Sequence, residues 1–438
     1  MKGGRDMIFF IGIKGSGMAS LACMLKEIGH EVTGSDIEKH LFTEEQLHLH
    51  QIPILPFGSV IPDHSTVIIG NAFKEDFPDV ASARQNPTLT CFRYHEYLGH
   101  LMEGYVSVSI AGSHGKTTTS TMMAAMLNVH DKTAYLIGDG HGHLEKDSKF
   151  MVVESCEYRR HFLAYYPDYA IITNVDLDHV DYFKDEKDYQ LAYEQFSKNV
   201  KKEVICFGDD PQVRGLNIDR PVLYYGVNEG NDLRATEIVE STRDMAFNVV
   251  FHGKDLGRIR LPFVGRHLLW NSLSCVAVGL LEGMDLASIE SGLGGFKGAS
   301  RRFVVEEIQD NVFIDDYAHH PTEVAITISA ARLRYPDKKL VAVFKPHRVS
   351  RVLRFADEFA LALSKADFVA LCPFTSIDDK EEGIDIDITY LQERIPGSII
   401  VDENENDAKQ LARLQPAVYL FMSSKDIYGL SDLVKRYQ

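Results

Sequence analysis

The chain has 438 residues, of which 45% are hydrophobic and 25% are charged. This balance is typical of a soluble globular protein, and the length predicts about three domains, because one hydrophobic core rarely serves so many residues. The formal net charge of −17 argues against a nucleic-acid-binding surface, which needs basic side chains to neutralise phosphates. The six cysteines form no CxxC pair and no apolar run reaches the roughly 18 residues of a membrane span, so we expect a cytoplasmic protein with reduced thiols.

The first predicted unit is a strand over Met7–Ile13, a helix over Ser16–Ile28 and a strand over Glu31–Gly34. The turn before the helix has the spacing G-x-x-G-x-G, which differs from the G-x-G-x-x-G of dinucleotide-binding proteins. A helix N-terminus that a ligand can approach closely can hold a diphosphate, and Asp36 can accept hydrogen bonds from a nucleoside. The pattern is equally compatible with a tight turn that binds nothing.

The second unit begins with a strand over Val106–Ala111, a glycine turn and a helix over Lys116–Asn128. Glycines let backbone amides surround a phosphate, the helix N-terminus adds partial positive charge, and the lysine reaches the outer phosphates. A threonine hydroxyl after the lysine is placed to ligate the magnesium that accompanies ATP. The sequence therefore predicts an ATP site formed by Gly112, Ser113, His114, Gly115, Lys116, Thr117 and Thr118.

Two further strands of this unit lead into acidic residues. Glu154 closes the apolar run from Phe150, and the strand Tyr169–Thr173 precedes the acidic run Asn174–Asp181, which contains His179. Ligands collect at the carboxyl ends of parallel strands, and carboxylate oxygens suit Mg²⁺. Beside a phosphate loop these residues predict a magnesium-dependent site, whereas alone they would be interpreted as a solvated acidic loop.

The remaining sequence contains a hairpin, a linker and a third unit. Alternating residues over Ala246–Val264 predict an antiparallel hairpin with its turn at His252–Asp255. A helix is predicted over His267–Gly283, and the glycine-rich segment Gly292–Gly298 is the best candidate linker. The strand–helix alternation then resumes with the strands Val312–Asp315 and Leu340–Phe344 and a helix from Pro321.

Cationic and histidine side chains gather at the predicted strand ends of this third unit. Arginine and lysine there can clamp a carboxylate or a phosphate, and arginine can do so with two parallel hydrogen bonds. Exposed basic loops are the alternative, but several such groups in an acidic protein favour an anion site. The groups are Arg301, Arg302, His319, His320, Lys345, His347, Arg348 and Arg351.

With these residues in place, the chain resembles the Mur ligase family from about Met7 to its last helix. The most specific matches are GSHGKTTT at Gly112, ESCEYRRHF at Glu154, TNVDLDHVDYF at Thr173 and DDYAHHPTE at Asp315. The opening GIKGSGM and the GSD at Gly34 agree as well. Several motifs in the right order are far more specific than any one alone.

The resemblance implies an α/β fold with three domains: a Rossmann-like N-terminal domain (1–100) for a UDP-sugar, a central P-loop ATPase-type domain (101–298), and a Rossmann-like C-terminal ligase domain (299–438). It implies ATP-dependent ligation of L-alanine to the carboxylate of UDP-N-acetylmuramate through an acyl phosphate, with ADP and phosphate released, in peptidoglycan precursor synthesis. The alternative within the family is a murein-peptide ligase that attaches a peptide. The implied cofactors are ATP and Mg²⁺, for which Mn²⁺ is a possible substitute.

The resemblance also assigns roles to positions that match the family's motifs. The catalytic group comprises Lys116, Glu154, His179, Arg302 and Asp316, and the metal ligands are Thr117, Glu154 and His179. Asn271, Arg302 and Asp316 join the phosphate loop in binding ATP. The UDP-sugar residues are Gly15, Ser16, Gly17, Met18, Ser35 and Asp36, and the amino-acid or acyl-phosphate residues are His320, His347, Arg348 and Arg351.

The sequence departs from the family pattern at Leu268, Lys345 and Ser423-Ser424-Lys425, which bears on ATP affinity and amino-acid choice. Two other classes of protein compete with a ligase. An NAD-dependent oxidoreductase would rest on the first glycine turn and Asp36 alone and would leave the phosphate loop unexplained. A nucleotide-binding protein that has lost its ligase activity finds its support in Leu268, and intact Lys116, Glu154 and His179 oppose it.

Overall fold

The structure is a computed structural model that describes residues 7–41, 43–138, 140–299, 301–374 and 386–438. Within these ranges no helix is both long enough and apolar enough to cross a lipid bilayer. The strands in the described ranges form three sheets that follow one another along the chain. The predicted α/β class with three units is confirmed, and the predicted domain boundaries, which fall between the sheets, stay a prediction.

The first sheet is wholly parallel, with the strand order β3-β2-β1-β4-β5. Its carboxyl edge therefore brings the end of β1 next to the end of β2, where the first glycine turn lies. The elements are β1 Met7–Ile11, α1 Ser16–Glu27, β2 Glu31–Asp36, α2 Glu44–Leu49, β3 Ile54–Pro56, β4 Thr66–Ile69, α3 Pro78–Gln85, β5 Thr90–Arg93 and α4 Tyr94–Met102.

The second sheet has the order β15-β14-β13-β12-β11-β10-β6-β9-β7-β8. It is parallel from β13 to β7 and antiparallel at both ends. Its strands are β6 Val106–Ala111, β7 Thr133–Leu136, β8 Gly142–His143, β9 Phe150–Glu154, β10 Tyr169–Ile172, β11 Glu203–Phe207, β12 Val222–Gly226, β13 Leu233–Glu240, β14 Met245–Phe251 and β15 Lys254–Leu261. Its helices are α5 Lys116–His130, α6 Glu186–Ser197, α7 Pro211–Arg214, α8 Arg266–Leu281 and α9 Leu286–Gly294, with a 3₁₀ segment over Tyr158–Ala164.

The third sheet has the order β16-β17-β21-β18-β19-β20 and is parallel apart from β16. Its strands are β16 Val304–Ile308, β17 Asn311–Asp316, β18 Lys339–Phe344, β19 Phe368–Leu371, β20 Ile399–Ile400 and β21 Ala417–Met422. Its helices are α10 Pro321–Arg334, α11 Val349–Arg354, α12 Ala356–Leu363, α13 Thr389–Gln392, α14 Glu405–Ala412 and α15 Tyr428–Arg436.

Apolar side chains fill both faces of the sheets, as the continuous hydrophobic runs of their strands predict. One cluster joins the first two units, because Leu21 and Met24 of α1 share a core with Leu136 and Val153 of the second sheet. The N-terminal unit is therefore held against the central unit by buried apolar contact.

The predicted hairpin is confirmed, since β14 and β15 pair antiparallel on either side of His252 and Gly253. The predicted linker is wrong at its start. Gly292 and Leu293 lie in α9 and are buried against the central unit. Glycine richness predicted a flexible segment, but here a glycine is required because α9 packs closely on α5.

Candidate active site

The phosphate loop joins β6 to α5 at the carboxyl edge of the second sheet. Gly112 has a φ of 131°, and a Cβ there would lie 2.0 Å from the Thr173 hydroxyl oxygen. Gly115 has a φ of 80°, and a Cβ there would meet the Asn271 amide at 3.0 Å. Only glycine can adopt these left-handed conformations and also allow such close approach, so the two glycines determine the shape of the loop. Asn271, predicted as an ATP contact, lies directly against the loop.

Lys116 points back across the loop. Its ammonium group donates to the Gly112 carbonyl, to the Ser113 carbonyl at 3.1 Å and to a carboxylate oxygen of Glu157 at 3.2 Å. Burial acts to lower the pKa of Lys116, but the charges of Glu157 and Glu154 outweigh it, so the net shift is upward. A charged ammonium is therefore held against the backbone of the phosphate loop.

Thr117 and Glu154 form a second contact beside the lysine. The Thr117 hydroxyl donates to a Glu154 carboxylate oxygen at 3.2 Å, and the other oxygen accepts from the Gly138 amide at 2.8 Å. Burial raises the pKa of Glu154, although the charge of Lys116 opposes the shift. These two predicted metal ligands are thus brought together by adjacent strands β6 and β9.

His179, the third predicted metal ligand, faces Glu157. Its Nε2 lies 3.6 Å from a Glu157 oxygen, its ring packs on Tyr158 with centroids 4.7 Å apart, and its buried Nδ1 has no hydrogen-bond partner. Burial lowers the pKa of His179, which favours the neutral imidazole that a metal requires. Its left-handed backbone, with a φ of 52°, marks a strained position of the kind found at functional sites.

Glu157 is one of two carboxylates at this edge that the sequence analysis did not single out. It is buried and accepts hydrogen bonds from Lys116 and from the Tyr189 hydroxyl at 3.1 Å, while His179 lies on its other side. The available signal was its place in the same motif as Glu154, three residues later. Whether a carboxylate after a strand end turns inward depends on the 3₁₀ segment that follows, which the pattern does not predict.

The loop after β10 supports the phosphate loop from the other side. The Asn174 amide oxygen accepts from the backbone N–H of His114 at 2.9 Å, and the Thr173 hydroxyl donates to the His114 carbonyl at 2.7 Å. The His114 Nε2 lies 3.1 Å from an Asp176 oxygen. Burial acts to lower the pKa of His114, but Asp176 and Glu323 raise it to about 9. Hydrogen bonds from both backbone and side-chain groups therefore hold the phosphate loop against the acidic run.

The C-terminal unit reaches this edge through Arg302 and Glu323. Arg302 donates to Glu323 at 3.2 Å, and its charge also acts on Glu154 and Asp316. Asp316 accepts from the Phe303 amide at 2.8 Å, and burial raises its pKa despite the opposing charge of Arg302. Arg302 and Asp316 thus lie at this junction, and their predicted contact with ATP stays a prediction. Glu323 is an additional carboxylate, which lies near both Arg302 and His114.

The predicted amino-acid residues divide between two places. Arg351 donates to Asp178 at 2.7 and 3.2 Å, and Arg348 lies 2.8 Å from Asp181. His347 contacts the Ser424 hydroxyl at 3.2 Å, and burial, together with nearby Lys425, lowers its pKa to about 4. His320 instead packs between His114 and Phe355.

A cavity of about 1050 Å³ opens where the phosphate loop, the acidic run and the C-terminal unit meet. Its size suits a nucleotide. Phosphate-loop residues, Asn271, Arg302 and Asp316 line it, and so does Leu268, one of the departures from the family pattern. The apolar side chains in its wall include Phe207 and Trp270, which offer flat surfaces for a base.

The predicted UDP-sugar residues lie apart from that cavity, at the carboxyl edge of the first sheet. Gly15, Ser16, Gly17 and Met18 begin α1, and Ser35 and Asp36 end β2. The Asp36 carboxylate accepts from the backbone amides of Lys14 and Ile37 at 2.7 Å each, so it shapes the turn. A Cβ at Gly17 would lie 2.5 Å from the Tyr94 hydroxyl oxygen. Burial and then the charge of Glu154 raise the pKa of Tyr94.

Two further departures have structural partners. Lys345 is buried, forms an ion pair with Glu403 and donates to the Asp426 carbonyl. Ser423 donates through its hydroxyl to the Lys345 carbonyl at 2.9 Å, and its amide donates to the Asp316 carbonyl at 3.0 Å. These residues hold strand ends in place, so their departure from the pattern is accommodated by packing.

Comparison with known proteins agrees with this arrangement. Three family models match in succession: the Mur ligase family catalytic domain over residues 7–106, the Mur ligase middle domain over 110–279, and the Mur ligase glutamate ligase domain over 301–424. The UDP-N-acetylmuramate–L-alanine ligase of Lactiplantibacillus plantarum is 44% identical over 422 residues, which is 96% of each chain.

Solved structures with the same fold include the UDP-N-acetylmuramate–alanine ligase of Thermotoga maritima, with a TM-score of 0.78, 26% identity and 99% of each chain covered. A murein peptide ligase of Psychrobacter arcticus has a TM-score of 0.70 at 20% identity, covering 99% of this chain and 98% of its own. Since the three domain models and the full-length relative cover nearly the whole sequence, the chain belongs to the Mur ligase family.

Proposed function

We propose that this chain uses ATP to join L-alanine to the carboxylate of UDP-N-acetylmuramate, releasing ADP and phosphate, in peptidoglycan precursor synthesis. The observation that supports it most directly is the partly buried ammonium of Lys116, held in a phosphate loop beside two carboxylates and a histidine. The names of the full-length relatives supply the substrate pair. A reaction that consumes ATP and a nucleotide sugar belongs in the cytoplasm.

The first step transfers the γ-phosphate of ATP to the sugar carboxylate and gives an acyl phosphate. Carboxylate and triphosphate repel each other, so cations must neutralise both before they approach. Lys116 lies where the outer phosphates would sit, and Arg302 approaches from the C-terminal unit. The nucleotide occupies the cavity lined by Asn271 and Asp316.

Magnesium fits the acidic side of this site. Thr117, Glu154 and His179 are the proposed ligands, and Glu157 is a fourth candidate because it lies between Lys116 and His179. The unpartnered, buried Nδ1 of His179 and the raised pKa of Glu154 are what a site built for a cation shows. Bound there, Mg²⁺ would supply positive charge to the phosphates.

The second step is attack of the amino group of L-alanine on the acyl phosphate, with loss of phosphate. The alanine carboxylate needs a cationic partner, and Arg348 and Arg351 lie beside the acidic run at the same edge. His347 lies next to this pair, and burial keeps its imidazole neutral. The UDP moiety is assigned to Gly15, Ser16, Gly17 and Met18 at the start of α1, with Ser35 and Asp36 beside them.

The test is phosphate release from ATP and Mg²⁺, with UDP-N-acetylmuramate and single amino acids supplied separately and together. We expect release only when the sugar nucleotide and L-alanine are both present. Release with a peptide but not with L-alanine would assign the chain to peptide addition. Release with neither would refute a ligase role.

A further inference from the structure

A second group of ligand-type side chains lies where the central and C-terminal units meet, and the steps proposed above give it no metal-binding role. It comprises His114 of the phosphate loop, Asp176 of the loop after β10 and His320 immediately before α10. Their ligand atoms all lie within 4.8 Å of one another. The His114 Nε2 and the His320 Nδ1 lie 3.1 and 3.6 Å from the same Asp176 oxygen. Three donors about 2 Å from a common ion would be spaced in this way.

His320 provides an independent observation that points to a ligand at this group. The residue is 2% exposed, yet neither of its ring nitrogens has a hydrogen-bond partner. A buried polar group without a partner costs free energy, and each such group calls for an explanation. Its ring lies against that of His114 with centroids 4.6 Å apart and contacts that of Phe355 edge-on at 5.1 Å. Its Nδ1 lies 3.6 Å from Asp176.

The surroundings orient the other two donors. The Nδ1 of His114 lies 3.6 Å from Glu323, so its Nε2 is the nitrogen offered to the group. Against the effect of burial, Asp176 and Glu323 raise the pKa of His114 to about 9, so an ion bound here replaces the proton that the Nε2 shares with Asp176. The Thr322 hydroxyl donates to Asp176 at 2.7 Å and fixes its carboxylate. An outer carboxylate behind a ligating histidine is the usual support of a metal site, because it fixes the orientation of the ring.

We propose that His114, Asp176 and His320 bind a divalent transition-metal ion of the Zn²⁺ or Co²⁺ type, in a site separate from the proposed magnesium site. Two imidazoles and one carboxylate suit these ions, whereas Mg²⁺ prefers oxygen ligands. Three protein donors leave coordination positions open for water or a nucleotide phosphate. This inference goes beyond the proposed function, since ligation does not require it.

The position of the site gives the ion a structural effect. His114 and Asp176 belong to the central unit and His320 to the C-terminal unit, so one ion would join the two. It would lie at the wall of the nucleotide cavity, which His114 and Asp176 line. The bound ion therefore opposes separation of the two units.

The experiment is titration of the full-length, nucleotide-free protein with Co²⁺, followed by its visible absorption, in the presence of excess Mg²⁺. We expect one equivalent of Co²⁺ to give the intense bands of a four- or five-coordinate ion, and Zn²⁺ to abolish them. Asp176→Asn and His320→Gln should each lose these bands. His179→Gln, at the proposed magnesium site, and His143→Gln, in an ion pair with Glu27, should keep them.

Equilibrium dialysis with Zn²⁺ alone, on the same variants, gives the stoichiometry without spectroscopy. Asp176 is 39% exposed, so Asp176→Asn should fold, and unchanged circular dichroism establishes that its loss of binding is local. Bands that survive in Asp176→Asn and His320→Gln, bands lost only in His179→Gln, or displacement of Co²⁺ by Mg²⁺ would each overturn the assignment. Because no substrate is present, a failed ligase assay leaves this result unaffected.

Discussion

Lys116 keeps its charge in a partly buried position because Glu157 lies 3.2 Å from its ammonium group. Replacing it with methionine keeps the length of the side chain and removes the charge. We expect Lys116→Met to lower kcat by about 10²–10³-fold, as the loss of one preorganised electrostatic contact does. Binding of UDP-N-acetylmuramate should change little, because its proposed site is on the first sheet. Steady-state phosphate release and calorimetric titration with the sugar nucleotide measure the two effects.

The matched control is Lys132→Met, which removes an exposed lysine paired with Glu145 and Asp147 in the same unit. Its kcat should stay close to that of the unaltered protein. Full turnover by Lys116→Met would remove this lysine from the proposed chemistry.

Two carboxylates are proposed as magnesium ligands, and substitution tests each of them. Glu154→Gln and Glu157→Gln should each raise the Mg²⁺ concentration needed for half-maximal activity by at least about 10–100-fold, the loss that follows removal of a group that only supports a metal ligand. The physical reason is that each carboxylate faces a cationic or donor group of the phosphate loop. A Mg²⁺ titration of initial rates measures the shift.

Glu282→Gln serves as control for these variants, because Glu282 accepts from Tyr169 at 2.7 Å within the same unit but outside the site. Unchanged titrations for both Glu154→Gln and Glu157→Gln would contradict the assignment.

The sequence carries more information about contiguous groups of residues than about dispersed ones. The phosphate loop could be predicted because its chemistry lies in consecutive residues between a strand and a helix. Glu157 could not, since its inward direction depends on how the chain turns after β9. The pairing of Arg351 with Asp178 joins residues 173 positions apart, and one sequence carries no signal for such a contact.

At the scale of elements, α9 shows why composition alone misled. Gly292 lies where α9 crosses α5, and a Cβ there would lie 2.6 Å from the Cα of Met126. Gly294 lies in the same helix with no atom within 4 Å of the corresponding position. Glycine is therefore required for close packing at position 292, whereas packing does not require it at position 294. Strands and hairpins were easier to predict, because their alternation or continuous apolar runs follow directly from burial.

This pair of glycines gives a prediction for stability. Gly292→Ala should lower the free energy of unfolding by about 1–3 kcal/mol, the usual cost of forcing an extra carbon into a packed contact. Gly294→Ala should be neutral or stabilising by up to about 1 kcal/mol, because alanine favours the helix. Urea unfolding followed by circular dichroism compares them. Equal effects of the two substitutions would contradict the close approach of α9 and α5.

At the scale of the whole molecule, a histidine pair lies between the first two units. His95 and His161 stack with ring centroids 4.5 Å apart, and Asn71 bonds to both, at 2.9 and 3.2 Å. Burial, and then the charges of His95 and nearby arginines, lower the pKa of His161 to about 4. Burial also lowers the pKa of His95. Both rings are therefore neutral near pH 7.

This junction should make the protein sensitive to acid. His161 binds a proton more readily in the unfolded chain, where its pKa is near 6.5, than in the folded protein, where its pKa is about 4. The contribution of His161 to the free energy of unfolding is therefore fully present above about pH 6.5 and is lost as the pH falls toward about 4. Between these two pH values, we expect the thermal unfolding temperature of His161→Gln to fall less than that of the unaltered protein. His100→Gln, an exposed position on α4, should behave like the unaltered protein. Parallel profiles for all three would exclude a contribution from His161.

Closure of the central and C-terminal units rests on contacts that include the buried pair Arg351 and Asp178. The charge of Arg351 holds the pKa of Asp178 well below its usual range, against the effect of burial. Asp178→Asn leaves the guanidinium buried without its counter-charge, which costs about 3–5 kcal/mol in comparable pairs. Because the pair joins the two units, this substitution destabilises the arrangement in which the central and C-terminal units are in contact.

We therefore expect ligand-free Asp178→Asn to show a larger radius of gyration in X-ray solution scattering than the unaltered protein. Asp367→Asn makes the same change in an exposed pair with Arg332, within the C-terminal unit, and should leave the radius unchanged. An unchanged radius for Asp178→Asn would mean that Arg348–Asp181 and the Thr322–Asp176 hydrogen bond suffice to hold the units together. The same arginines are proposed to receive the alanine carboxylate, so in that case substrate binding would exchange one anionic partner for another without opening the molecule.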